Sequence, residues 1–161
     1  IKLVTQIKPA QVTLVPDPPE ALTSNAGWDT VRNQSFLREV IAEFQRNGIR
    51  TSIFIETDLI MIEHARSTGT NRVELYTEAY AQQYSGGREK AIHPFVTAAK
   101  LVGELGLGLN AGHDLSLENL KYFKQQIPGL LEVSIGHALI CDALYFGLEN
   151  TIQLYLRQLK E

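Results

Sequence analysis

The sequence predicts an α/β fold with a parallel sheet, and within that class part of a TIM (β/α)8 barrel. Five short runs of β-forming residues alternate with segments of helical periodicity, which is typical of parallel strands joined by right-handed crossovers. One face of the predicted strands is apolar, whereas the other carries carboxylates and amides in successive strands. Helices cover both faces of a doubly wound sheet, which is then apolar on both. The polar face therefore favours the interior and mouth of a barrel.

Composition and charge narrow the class of protein. The chain has 161 residues, 44% hydrophobic and 20% charged, which fits one globular domain with its own core. Its net charge of −3 comes without a basic run, which argues against nucleic acid and anionic membranes as partners. No apolar stretch approaches the ~18 residues that span a bilayer. Cys141 is the single cysteine, which excludes an internal disulfide and indicates a reducing cytoplasm, and we expect it to be buried.

The first predicted elements are a short helix and a strand. Residues 1–8 have the character of the end of a helix, which Pro9 terminates, and 10–15 follow as a strand of β-forming residues. The run 16–28 opens with a cluster of prolines and shows no hydrophobic period, so it is predicted to be a long polar loop. Loops of that length in compact domains tend to be functional or disordered.

Helices and strands then alternate to the end of the chain. Residues 33–47 predict an amphipathic helix, because their apolar residues fall on one stripe. The segment 80–88 contains a Gly-Gly pair and is predicted to be a second loop, with the next helix entered at Pro94. Ser116 is expected to cap the helix that follows it. The other predicted strands are 49–56, 72–77, 107–110 and 131–135, and the other predicted helices are 58–68, 90–105, 117–126 and 138–159, the last divided at Gly147.

A histidine directly follows the central predicted strand. His113 lies after Ala111-Gly112 in a glycine-rich run, and the carboxyl ends of parallel strands are where α/β enzymes hold their chemistry. Asn110 is expected to be an inward-facing amide on the same strand. Asp114 could accept a hydrogen bond from the imidazole or cap the next helix, and we expect the capping role.

The last predicted strand ends in a second Gly-His pair. A helix begins directly after Gly136-His137, and the free N–H groups of a helix start favour a phosphate. The loops after the last two strands of a barrel often hold substrate phosphate. Residues 112–114 and 136–137 are therefore predicted to form one phosphate cradle.

Three carboxylates fall on the polar strand face. Glu56, Glu74 and Glu132 could each act as a general acid or base, or could each be the structural partner of a buried arginine or amide. Glu74 is the best catalytic candidate, because it lies mid-strand with Thr77 nearer the mouth. His113, His137 and a carboxylate lack the spacing of a known metal-ligand set, so no metal is expected.

The two strand-end motifs resemble the pyridoxine 5′-phosphate synthase family. They are Leu109-Asn110-Ala111-Gly112-His113-Asp114-Leu115-Ser116 and Ile135-Gly136-His137-Ala138-Leu139-Ile140, and Val15-Pro16, 22–24, 53–55, 74–77 and 80–81 follow in matching order. The resemblance implies a TIM barrel of which residues 1–161 form the C-terminal portion, about the last five βα units, with the N-terminal strands absent. It also implies a cytoplasmic homo-oligomer in vitamin B6 biosynthesis. The family condenses 1-deoxy-D-xylulose 5-phosphate with 3-amino-2-oxopropyl phosphate, releasing phosphate and water, with no metal or organic cofactor.

The resemblance also implies roles for single residues. His113 matches the proton donor of the family, whereas Asp114, Gly136 and His137 match positions that contact substrate phosphate. Thr23 matches a substrate-binding threonine in a loop that closes as a lid. Glu74 and Asn110 are possible supporting residues because of their place on the polar strand face, apart from the resemblance. The family often has Gly where this chain has Asp114, and a carboxylate would repel phosphate unless it points away. The motifs of the family's N-terminal strands, with its base His and Glu, are not in this sequence, so the chain alone is expected to be inactive.

Two other function classes fit the sequence. Another phosphosugar lyase or isomerase of barrel type predicts a single phosphate site and a divalent metal at Glu56 or Glu74. A non-catalytic α/β phosphate-binding module, complete at 161 residues, predicts a polar strand face that is satisfied internally.

Overall fold

The computed structural model describes residues 1–160, and in that range five parallel strands form one sheet in sequential order. The strands are β1 (Gln11–Leu14), β2 (Arg50–Ile55), β3 (Arg72–Tyr76), β4 (Gly108–Gly112) and β5 (Leu130–Ser134). The helices are α1 (Lys2–Ile7), α2 (Gln34–Arg46), α3 (Leu59–Ser67), α4 (Glu78–Glu104), α5 (Leu120–Gln126), α6 (His137–Phe146) and α7 (Leu148–Gln158). The α/β fold and the order of the strands confirm the predicted class and are those of a partial TIM barrel.

The apolar strand face packs against the helices. Ile53 pairs with Val73, and Val73 with Leu109, and all three side chains are buried in the main core. Helix α2 adds Leu37 and Ile41 to the same core from its apolar stripe. Each buried aliphatic side chain of this kind contributes roughly 1.5–3 kcal/mol. The burial fixes the opposite face of the strands toward the barrel interior.

The polar strand face carries the residues that the alternation along each strand predicts. Glu74 pairs with Asn110, and Asn110 with Glu132, so the three side chains lie side by side across β3, β4 and β5. Arg72 Nη1 lies 2.9 Å from Glu132 Oε1 and 3.0 Å from Asn110 Oδ1, and Arg50 Nη2 lies 2.8 Å from Glu132 Oε1. Glu132 is therefore the partner of two arginines, and of the two roles offered for it, catalytic or structural, it has the structural one.

The turns that lead into β2, β3, β4 and β5 each contain a glycine with positive φ. Each glycine lies at the edge of the sheet where the strands begin, and a side chain would be strained there. These glycines are Gly48, Gly69, Gly106 and Gly129.

The predicted loop at 80–88 and the predicted helix start at Pro94 are wrong. Helix α4 runs from Glu78 to Glu104 through Pro94, interrupted only by non-helical φ/ψ at Gly87. Tyr80 explains the early start, because its side chain is fully buried. Its hydroxyl donates to the Asn119 carbonyl oxygen at 2.8 Å, and the centroid of its ring lies 5.0 Å from that of Phe123. Tertiary packing makes the residues before Gly87 helical, whereas the local preference of the glycines is expressed only as the kink at Gly87.

The predicted start of α5 and the predicted burial of Cys141 are also wrong. Helix α5 begins at Leu120, and Ser116 caps the turn that leads into it: its Oγ accepts from the Glu118 N–H at 3.3 Å and its N–H donates to Asn119 Oδ1 at 2.9 Å. Cys141 is exposed. Helix α6 lies wholly within the described range, and none of its residues is buried. The division of the last helical region at Gly147 is confirmed. Within residues 1–160, no helix has the length and apolar content that crossing a membrane needs.

Candidate active site

The carboxyl ends of the strands surround a cavity of about 840 Å³. Because the strands are parallel, residues that follow different strands meet at this one edge. The lining includes six of the seven predicted site residues, namely Thr23, Glu74, His113, Asp114, Gly136 and His137. The seventh, Asn110, is buried in the polar layer beside Arg72 and does not line the cavity.

His113 has an unusual backbone conformation at the end of β4. Its φ is +89°, and among residues 1–160 the one other non-glycine residue with positive φ is Lys8. Such a conformation costs on the order of 1–3 kcal/mol and persists where its surroundings impose it. Here the His113 N–H donates to the Ser134 carbonyl oxygen at 3.1 Å, which extends the pairing of β4 with β5 by one residue.

Both ring nitrogens of His113 have polar neighbours. Nδ1 lies 2.7 Å from Asp114 Oδ2, and Nε2 lies 2.7 Å from Thr23 Oγ1. The Tyr76 ring stands edge-on to the imidazole with centroids 5.2 Å apart. The capping role expected for Asp114 is therefore wrong, because its carboxylate faces the imidazole.

Gly112 lets β4 approach β5 closely enough to build this turn. A Cβ at Gly112 would lie 2.5 Å from the Ser134 carbonyl oxygen and 2.8 Å from Glu74 Oε1. Contacts that short force a backbone or side-chain displacement. A glycine is thus required by space at the position just before His113.

Thr77 holds the same turn from β3, and sequence reasoning missed this role. Its side chain is fully buried, its Oγ1 donates to the Gly112 carbonyl oxygen at 2.8 Å, and the same oxygen accepts from the Asp114 N–H at 3.2 Å. The one available signal was a threonine directly after a strand whose neighbour ends in a glycine-rich turn. The clamp itself depends on the register of Tyr76 with Gly112.

Glu74 lies in the wall of the cavity and is only 5% exposed. Thr13 Oγ1 donates to its Oε2 at 2.9 Å. Burial raises the pKa of Glu74 above its ordinary value, and this outweighs the hydrogen bonds from Thr13 and Ser134 and the charge of His113, which lower it. A carboxyl group of this kind exchanges a proton at higher pH than an exposed one.

The amino terminus of α6 also lines the cavity. Gly136 precedes the helix, no side chain caps it, and Gly136 and His137 both line the cavity. The first N–H groups of a helix have no partner within the helix. Together with the helix dipole they favour a bound anion at this point.

The loop between β1 and α2 contributes Thr23, Ser24 and Asn25 to the lining of the cavity. Trp28 fixes one end, because its backbone N–H donates to the Phe54 carbonyl oxygen at 2.9 Å. Ser24 fixes the middle, because its carbonyl oxygen lies 3.2 Å from the Tyr76 hydroxyl and its Oγ donates to Asp17. Burial, with the nearby Glu78 carboxylate, raises the pKa of Tyr76, so this phenol stays a donor.

Glu56, one of the two carboxylates offered as a metal ligand, is exposed and lines two smaller pockets and not the main cavity. In the part of the chain that the structure describes, no three His, Cys, Asp or Glu side chains are grouped so that they could hold a metal ion.

Comparison with known proteins identifies the family. The family model described as pyridoxal phosphate biosynthesis protein PdxJ matches residues 1–161. Two curated relatives, both named pyridoxine 5′-phosphate synthase, come from Flavobacterium johnsoniae and Cytophaga hutchinsonii. The first is 65% identical over 160 residues, covering 99% of this chain and 68% of that protein. The second is 60% identical over 161 residues, covering 100% of this chain and 68% of that protein.

A solved structure shows a similar fold with little sequence similarity. The crystal structure of the Amycolatopsis orientalis BexX/CysO complex contains a chain that superposes with a TM-score of 0.61 at 15% identity, covering 98% of this chain and 59% of that one. This likeness extends to the fold alone. The match to the family model over the whole sequence and the identity to the curated relatives go further: this chain belongs to the PdxJ family of pyridoxal phosphate biosynthesis proteins.

Proposed function

We propose that this chain carries the proton donor and a phosphate seat of a pyridoxine 5′-phosphate synthase. The reaction condenses 1-deoxy-D-xylulose 5-phosphate with 3-amino-2-oxopropyl phosphate, as the resemblance of the strand-end motifs implies. The observation that carries the proposal is the placement of His113 and the α6 amino terminus in the wall of one cavity of about 840 Å³. That volume is within the range of about 300–1,000 Å³ for small-molecule sites.

His113 is the group that moves a proton. An imidazole changes charge near neutral pH and is the commonest general acid or base in enzymes. Its Nε2 contacts only the Thr23 hydroxyl of the loop, and that contact can be exchanged for a substrate oxygen. The reaction releases water and phosphate, and a proton delivered to a leaving oxygen makes such a departure easier.

The α6 amino terminus seats a substrate phosphate. The N–H groups at Gly136 and His137 supply hydrogen bonds and the positive end of the helix dipole. The Asp114 N–H is taken by Thr77 and its carboxylate by His113, so we assign the phosphate to Gly136 and His137 and not to Asp114.

The loop that carries Thr23 acts as a lid, and Glu74 and Asn110 support the site from beneath. When substrate binds, the Thr23 hydroxyl would leave His113 and contact the substrate, and the closed loop would exclude water from reactive intermediates. Glu74 offers a second proton-exchanging group in the cavity wall. Asn110 orients Arg72 within the polar layer below it.

The 161 residues would form the C-terminal portion of a single TIM-barrel domain. The chain spans 68% of the length of its curated relatives and supplies five parallel strands, whereas a TIM barrel needs eight. On this proposal the base groups and further substrate contacts come from the N-terminal strands. Cytoplasmic location and a homo-oligomeric state remain predictions from the family resemblance.

The test uses the full-length enzyme and the two named substrates. We expect His113→Asn to lower kcat by at least ~100-fold while phosphate affinity is nearly unchanged, because Asn fits the positive-φ backbone but cannot donate a titratable proton. Product formation is followed by chromatography. Wild-type turnover in this variant would remove His113 from the chemistry. A wild-type enzyme that forms no product but cleaves or isomerises a phosphosugar in an EDTA-sensitive reaction would support the lyase or isomerase instead.

A further inference from the structure

We propose that Asp114 is a positioning residue that fixes the tautomer of His113, so that Nδ1 always carries a proton and Nε2 is the atom that exchanges one. This inference deepens the proposed function and rests on it for the kinetic consequence, because it concerns the same histidine. It gives the carboxylate a role that the phosphate-binding interpretation of this position does not contain.

The first support is the distance between the two side chains. Asp114 Oδ2 lies 2.7 Å from His113 Nδ1, and an ionised carboxylate can only accept a hydrogen bond. Nδ1 must therefore be the donor. In a neutral ring Nε2 is then unprotonated, and the Thr23 hydroxyl, 2.7 Å away, donates to it. A free histidine in water prefers the other tautomer, so the carboxylate changes the outcome.

The second support is that the backbone holds Asp114 in place independently of the imidazole. Its N–H donates to Thr77 Oγ1 at 3.2 Å, and its carbonyl oxygen accepts from Asn119 Nδ2 at 3.3 Å. Side chains of adjacent strand residues normally point to opposite faces. The positive φ of His113 ends that alternation and lets two consecutive side chains meet.

In the proposed step a single proton moves, from Nε2 of His113 to the substrate. In the forward step the Nε2–H bond of the imidazolium breaks and an O–H bond forms on the leaving oxygen of the substrate. The ring becomes neutral with its Nδ1–H bond intact, and Asp114 neither gains nor loses a proton. The carboxylate stabilises the imidazolium before the step and orients the ring throughout, as the aspartate does in a Ser-His-Asp triad.

The test is a nitrogen NMR measurement of the histidine tautomer in the ¹⁵N-labelled full-length enzyme. Spectra are recorded at about pH 9, where an ordinary imidazole is neutral, and the His113 signals are assigned by their loss in His113→Asn. We expect the wild type to show a protonated Nδ1, and Asp114→Ala to show a protonated Nε2 or a mixture. Asp58→Asn changes a carboxylate that caps α3 outside the cavity, and should leave the His113 signals unchanged.

Kinetics supply a second measurement. We expect Asp114→Ala to lower kcat by about 10- to 100-fold with little change in KM, since a ring of the wrong tautomer fails only in the proton transfer. A protonated Nε2 in the wild type, or the same tautomer in Asp114→Ala, would overturn the proposal. So would a lower KM at unchanged kcat, which would mean that the carboxylate merely repels phosphate. An active His113→Asn enzyme would instead refute the proposed function and leave the tautomer result standing.

Discussion

Oγ1 of Thr23 lies 2.7 Å from Nε2 of His113, which is ninety residues further along the chain. This one hydrogen bond joins the loop after β1 to the turn after β4. It also occupies the ring nitrogen to which we assign proton transfer. A substrate that needs Nε2 must first take the place of the threonine hydroxyl, so binding and movement of the loop are coupled.

Removal of the Thr23 hydroxyl should weaken substrate binding. The relevant contact is the one that this hydroxyl makes to the substrate after it leaves His113. A hydrogen bond of this type contributes roughly 0.5–1.5 kcal/mol, so Thr23→Val should raise KM by up to about tenfold. Thr23→Ser is the matched control, because it keeps the oxygen and loses only a methyl group. Steady-state kinetics of the full-length enzyme check both variants. An equal rise of KM in Thr23→Val and Thr23→Ser would show that the hydroxyl does not contribute to substrate binding.

Thr77→Val should damage both stability and turnover. The valine has nearly the same shape, but it leaves the Gly112 carbonyl and the Asp114 N–H without their partner. Each buried polar group left unpaired costs about 1–3 kcal/mol. Chemical denaturation measures the loss of stability, and kcat measures the displaced turn.

Thr70→Val is the control for this clamp. Thr70 is also buried and hydrogen-bonded, but it precedes β3, at the edge of the sheet away from the cavity. It should reduce the free energy of unfolding by a similar amount without changing kcat. If Thr77→Val and Thr70→Val affect kcat equally, then Thr77 has no special relation to the site.

Gly112→Ala should be poorly tolerated. Its Cβ would meet the Ser134 carbonyl oxygen at 2.5 Å, and overpacking of this sort costs typically about 1–3 kcal/mol. Gly86→Ala is the control, because open space surrounds that exposed helical position, and alanine there should stabilise by up to about 1 kcal/mol. Thermal unfolding compares the two. An unchanged melting temperature in Gly112→Ala would contradict the close approach of β4 and β5.

The buried Glu74 should give the protein a distinct pH dependence. Its pKa is raised, so the folded state holds the proton to higher pH than the unfolded state and loses stability as pH rises from about 4.5 through the raised value. Glu74→Gln cannot ionise, so its stability relative to the wild type should increase across that window and then level off. Urea denaturation between pH 4 and pH 8 would show this.

Glu43→Gln should change the pH dependence of stability in the opposite direction. The hydrogen bond and charge of Arg46 lower the pKa of Glu43, so its ionised form is favoured in the folded state. This variant should be less stable than the wild type at neutral pH and approach it as pH falls below about 4.5. If the stability of both variants relative to the wild type changed in the same direction with pH, burial would not be the main influence on the pKa of Glu74.

The alternation of elements and the two strand faces could be predicted from the sequence, because side chains repeat with a period of two along a strand. The pattern placed Glu74, Asn110 and Glu132 on one face, and the register confirms it. The early start of α4 could not be predicted, because it depends on Tyr80 packing against Phe123, which is distant in sequence.

The sequence was enough to predict that the candidate residues gather at one place, but not how they contact one another. The motif and the parallel strands were enough to bring His113 and Gly136 to one cavity. The contact of Asp114 with His113 depends on the positive φ of His113, and the clamp by Thr77 depends on the register of β3 with β4. Neither quantity is encoded in local residue preference.

The four positive-φ glycines enter their strands at the rim away from the cavity. The glycine turns that enter the strands and the residues that would meet a ligand are thus on separate rims of the molecule. Substitutions at these four turns should therefore change heat tolerance without changing turnover, in evolution as in engineering. A surface tether or a fluorescent label beside these entry turns would leave the mouth of the barrel unobstructed.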